Sequence, residues 1–236
     1  MNNTTFRPLV LTVAALALLG APALVAPSTA RASQAQAAIP PAYTHMITAM
    51  ASAQSYKLVS DSTGNGGLVM HMERVTLHHG KLAQQYLIIE TKTGARRSIA
   101  EVVSTGTHVC YRKARAGAWN CRAPAGTVAA YAAAGEMDPK ALEALGLRMR
   151  IQMSPAGHKV VQKQLCTGYS VTETTTSSYT ITSHGTYWLN AATGRPVEMD
   201  TVSTYTISGM GNTLAQQLVW SRWNDPSLTI PTPPAS

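Results

Sequence analysis

Apolar side chains recur at Tyr43, Met46, Ile47, Met50 and Ala51, a spacing of i, i+3, i+4, i+7 and i+8. That spacing predicts a one-sided amphipathic helix over 43–55. So short a helix is marginal alone, so its Met-bearing stripe has to dock on something. From Tyr56 the period changes to two. The alternation predicts strands at 56–59, 68–79, 82–91, 96–104, 108–113 and 118–121. Turn residues separate them at Thr63–Gly67, His79–Lys81, Thr93–Ala95 and Ala114–Gly117. Strands at such short spacing pair antiparallel.

The middle of the chain breaks this pattern. Thr127–Ala134 is Ala-rich and reads as helix. Asp138 as N-cap, Pro139 at the first helical position and Gly146 as terminator predict another short helix. Met149, Ile151 and Met153 restore the period of two, and Ser154–Gly157 reads as a turn. Further strands are expected at 158–166, 169–174, 178–190, 196–207 and 214–223. From Asn224 the tail carries four prolines and is expected to lie extended on the body.

One hairpin fixes a face. Tyr179, Ile181, Tyr187 and Leu189 are all odd-numbered, and so are Val197, Met199, Tyr205 and Ile207. A five-residue loop, Ala191–Arg195, sets Leu189 opposite Val197, Tyr187 opposite Met199, Ile181 opposite Tyr205 and Tyr179 opposite Ile207. A four-residue loop would set Tyr187 against Glu198. A one-residue slip moves a whole apolar set to the other face, so the five-residue loop is preferred. These eight residues and the helix positions Tyr43, Met46, Ile47 and Met50 are the candidate apolar lining of a ligand cavity. Methionine suits surfaces that adapt to variable apolar shapes. Ordinary core packing accounts for the same residues.

Composition narrows the class. The chain has 236 residues, 45% hydrophobic and 13% charged, which fits a globular domain and excludes a coiled coil or a disordered chain. Residues 1–32 resemble a secretory leader: Arg7, an apolar run over Leu9–Leu19, and Ala30-Arg31-Ala32 as a small-x-small cleavage site. The alternative is a retained anchor, but the uninterrupted run is short of the roughly 20 residues that span a bilayer. No cysteine near the cleavage site would take a lipid. Residues 33–42 read as a flexible leader, and 43–236 as one domain. Export to the periplasm or beyond follows. Lys and Arg exceed Asp and Glu by 19 to 11, a balance that suits an anionic envelope surface or scattered surface charge. The basic residues form no long tract, so no nucleic acid is expected as a partner.

Cys110, Cys121 and Cys166 are the only cysteines. A four-residue loop at Ala114–Gly117 sets Cys110 directly opposite Cys121, where a disulfide can form; a three-residue loop breaks the match. His71, Glu73, His78 and His79, with Met70 and Met72, are the best metal candidates by ligand type. On a strand they split between two faces, so no metal is expected. Sequence signatures of nucleophilic catalysis are missing: no G-x-S-x-G, no S-x-x-K and no H-E-x-x-H. No catalytic residue and no cofactor is expected, and Ser183-His184 reads as coincidence.

Three stretches carry a family resemblance: Val109–Cys121 (VCYRKARAGAWNC), Thr186–Met199 (TYWLNAATGRPVEM) and Ser221–Pro233 (SRWNDPSLTIPTP). With the N-terminal helix, the chain resembles the bacterial outer-membrane lipoprotein carriers and mycobacterial lipid-transfer lipoproteins (the LolA/LppX-like superfamily). The resemblance implies an α+β fold, an antiparallel unclosed β-barrel (half-barrel) with helices covering its concave face. It implies a non-enzymatic carrier whose partner is an acyl chain, lipid or lipoprotein. Alternatives are an envelope sensor that meets a membrane partner protein and, less favoured, a secreted hydrolase.

Overall fold

Alternation dominates the chain, and the backbone follows it. The computed structural model describes residues 39–79, 82–105, 108–113, 117–122, 148–176, 180–207 and 210–233. One helix comes first, α1 (Pro41–Ala51). The strands are β1 (Ser55–Gly64), β2 (Leu68–His79), β3 (Leu82–Thr93), β4 (Arg96–Ser104), β5 (Val109–Lys113), β6 (Asn120–Arg122), β7 (Arg148–Val161), β8 (Gln164–Thr176), β9 (Thr180–Asn190), β10 (Pro196–Ile207) and β11 (Met210–Ser221). They form one antiparallel sheet in the order β6-β5-β4-β3-β2-β1-β11-β10-β9-β8-β7. Every contact but one joins chain neighbours. The exception is β1 with β11, which pairs from Lys57 opposite Ser221 to Gly64 opposite Leu214 and sews the two halves together.

The expected fold class is therefore corrected. The described residues form an almost all-β, unclosed eleven-stranded sheet with a single helix, not an α+β fold with helices covering a concave face. One reason is that strands run on where the sequence suggested loops. Pro155 and Gly157 sit inside β7, at a register shift between Pro155 and Gly157, rather than in a turn. β7 is a terminal strand of the sheet, where a missing N–H and a bulge are tolerated. The chain reverses later, at Gln162-Lys163. The expected helices at 127–134 and 138–146 lie outside the described residues.

Pro41 opens α1 in the first-turn position where a missing N–H costs nothing. The helix stops at Ala51, short of the expected end at 55, because Ser55 already belongs to β1. The tail ties this junction down. Asn224 accepts the Gln54 N–H through Oδ1 at 2.8 Å, and its own N–H donates to the Ser55 carbonyl at 2.8 Å. Leu228 is buried beyond it, so the Pro-rich tail does lie along the body. The α1 helix is about 16 Å long at 1.5 Å per residue, whereas eleven strands span roughly 50 Å. No helix among the described residues is long and apolar enough to cross a membrane.

Candidate functional site

The strand registers hand one face across the sheet. Odd positions of β9 and β10 meet even positions of β11, β1 and β2, and then odd positions of β3. On this face α1 places Tyr43, Met46 and Met50, all buried, with Ile47 half-buried beside them. Buried in the same cluster are Tyr56, Leu58, Met70, Met72, Leu87, Ile151, Val171, Tyr187, Leu189, Met199 and Trp220. They form one connected apolar cluster with α1. Half-buried Ile89, Val102, Met149, Met153, Tyr169 and Leu218 pack around its margin.

Most of the expected lining falls on this face. Tyr187 stands opposite Met199 and Ile181 opposite Tyr205, in the register the five-residue loop requires. Tyr187, Leu189 and Met199 are buried with the helix residues, while Ile181 and Tyr205 are half-buried. Ile207 ends β10, and Tyr179 lies outside the described residues. Val197 is the residue that departs. The register shifts between Pro196 and Glu198, so Leu189 faces Pro196 instead. Val197 is turned to the outer face and buried with Val161, Cys166 and Trp188. Lys159 caps that small cluster, with Nζ 4.2 Å from the Trp188 ring centre and 3.0 Å from Glu198. Trp188 also lies so close over Gly168 that a Cβ there would sit 2.4 Å from the ring.

The helix-side face is not uniformly apolar. Glu173 projects from β8 on the same face as Val171, and its Oε1 is closed off from solvent with no hydrogen-bond partner. Burial raises its carboxyl above the ordinary range, and the Tyr187 hydroxyl beside it pulls in the opposite direction. Tyr187 itself is pushed well above the usual phenol range, first by burial and then by the charge of Glu173 and the neighbouring Tyr43. Tyr43 donates its hydroxyl to Met149 Sδ at 3.9 Å. Ser60, Ser62, Arg74 and Thr76 are buried on this face too. The Gln216 amide donates to Ser60 Oγ at 2.8 Å. Sequence analysis missed this polar set: Ser60 and Ser62 fall between the strand expected at 56–59 and the turn at Thr63–Gly67, and Arg74 and Thr76 fall within the strand expected at 68–79 with no face assigned. The signal that could have found it is parity: all four share even numbering with the buried Leu58, Met70 and Met72.

The outer face carries charge. Lys57 pairs with Glu73 at 2.7 Å, and His71 meets Asp61 at 2.7 Å. Asp61 and Glu73 raise the His71 pKa by holding its charged form, with the Asp61 hydrogen bond the largest cause. Glu101 is buried there against Arg112 at 2.9 Å and accepts the Tyr86 hydroxyl at 2.6 Å. Met70 and Met72 point to the helix side and His71 and Glu73 away from it, so the candidate metal ligands are divided by the sheet. Among the described residues no group of three or more His, Cys, Asp and Glu is placed to hold a metal. Cys110 and Cys121 stand opposite each other on β5 and β6 and are joined by a disulfide, while Cys166 is free and buried. No protein-family model matches the chain, and no curated protein matches it.

Proposed function

We propose that this protein is an exported, non-enzymatic carrier that holds an acyl chain, of a lipid or a lipoprotein, against the helix-side face of its sheet. The observation that carries this reading is the extent of the apolar cluster. It reaches from Val102 on β4 to Ile151 on β7 through the β1–β11 seam. Half-buried Ile89, Val102, Met149, Met153, Tyr169 and Leu218 pack against it and leave apolar surface that an acyl chain could cover. Methionine adapts to such a guest at little packing cost. The resemblance of the three quoted stretches to lipid and lipoprotein carriers supports the same reading, as does the leader-like residues 1–32.

Binding would be driven by burial of apolar surface, about 0.8 kcal/mol per methylene. The test is a titration with fluorescent acyl probes of increasing length. Affinity should rise about fourfold per added methylene until the face is filled. Met153→Glu, at the half-buried margin, should weaken binding while leaving the fold intact. Absence of uptake, or affinity independent of chain length, contradicts the proposal.

A further inference from the structure

Four large apolar side chains are exposed among the described residues, and the two most exposed are Val160, at 70%, and Leu165, at 60%. They stand directly opposite each other across β7 and β8, at the tip of that hairpin. We propose that this tip docks on an anionic lipid surface, with Val160 and Leu165 entering the interfacial layer and His158 and Lys163 facing its phosphates. The proposal stands apart from the cargo reading, since it uses none of the helix-side cluster.

The tip is built rather than loose. Gln162 and Lys163 both hold positive φ, 48° and 64°, in a two-residue turn where Asn and Gly would be less strained. Gln162 reaches back to the Val197 carbonyl at 3.5 Å. Val161 and Cys166 anchor the hairpin in the outer cluster. The Ala191 N–H donates to the Leu165 carbonyl at 3.0 Å and brings the β9–β10 turn alongside, with Ala191 and Ala192 exposed. Residues 158–165 (HKVVQKQL) contain no acid. Lys159 spends its charge on Glu198, which leaves His158 and Lys163 outward. Two aliphatic side chains are far too little area for a stable protein interface, which buries about 1,200 Å² or more. Shallow apolar insertion combined with basic charge is what holds peripheral proteins on anionic lipid.

Flotation of the full chain with phosphatidylglycerol/phosphatidylcholine vesicles tests it. Wild type should bind these about fivefold better than pure phosphatidylcholine vesicles, and high salt should weaken that binding. Val160→Asp with Leu165→Asp should lose vesicle binding at an unchanged melting temperature, and Lys163→Glu should weaken it. Leu165→Trp adds a direct readout: its emission should shift blue and be quenched by brominated lipid. Equal binding to both vesicle types, no binding to either, an aspartate pair that still floats, or an unmoved Leu165→Trp emission would overturn the proposal. Crosslinking of the tip to a protein partner without vesicle binding would overturn it in favour of a protein interface.

Discussion

The Glu173 carboxyl and the Tyr187 hydroxyl lie together on adjacent strands of the face that α1 covers, with one carboxylate oxygen shut away from any partner. Burial favours the protonated acid. The folded chain therefore holds that proton above the ordinary value of 4.5, where the unfolded chain releases it. Stability contributed by this group is present below that value and is lost as pH rises through the raised folded pKa. Glu173→Gln should match wild type in melting temperature near about pH 4 and exceed it increasingly toward about pH 8. Tyr187→Phe removes the hydroxyl that favours the ionised acid, so its stability should fall more steeply with pH. Thermal melts across pH check both, and parallel curves for all three proteins would refute the assignment.

Met199 and Val197 are two residues apart on β10 yet belong to different layers. Met199→Ala removes a buried side chain under the helix and should cost roughly 2–5 kcal/mol and weaken acyl binding. Val197→Ala hollows the outer cluster and should cost on the order of 1–2 kcal/mol with acyl affinity unchanged. Urea unfolding and probe titration on the two variants separate these effects. Equal loss of affinity in both would mean that Val197 faces the helix.

β6 is three residues long and stands last in the strand order, and the Cys110–Cys121 bridge adds a covalent tie to its pairing with β5. Cys110→Ser with Cys121→Ser should lower stability by about 2–3 kcal/mol. Hydrogen exchange should show β5 and β6 amides losing protection while the β1–β11 seam keeps it. Uniform loss across the sheet would contradict a local role.

Asp225 holds the tail turn. The Ser227 hydroxyl and N–H donate to it at 2.7 and 2.8 Å, and Arg222 meets it at 2.7 Å, which lowers its pKa from 3.8 to about 2. Its contribution is present above 3.8 and is lost as pH falls through about 2. Asp225→Asn should loosen the tail at neutral pH and open 222–233 to limited proteolysis. Resistance equal to wild type would argue that Asn224 and Leu228 suffice.

The sequence was most legible where alternation was clean. Counting residues around Ala191–Arg195 placed Tyr187 opposite Met199 and Ile181 opposite Tyr205. The same count misplaced Val197, because a bulge at Pro196 is invisible to parity and moves one side chain across the sheet. The Gln162-Lys163 turn carries neither Gly nor Asn, so local chemistry pointed instead to Pro155 and Gly157. Ser60, Ser62, Arg74 and Thr76 share the even parity of Leu58, Met70 and Met72, but a polar side chain on a strand ordinarily reads as solvent-facing, so parity was not followed to the interior. Glu173 was hidden for a related reason. Its place on the helix-side face depends on the β8–β9 register, which sets it opposite Ser183 and which the Thr-rich stretch leaves unmarked.

The most direct test of an acyl guest beside α1 is native mass spectrometry of the chain after gentle purification from the cells that express it. The account predicts a population heavier than the bare chain by a lipid or acyl mass, released by detergent and absent when Met199 is replaced by Glu. A bare-chain mass alone, unchanged after incubation with fatty acid, would contradict it.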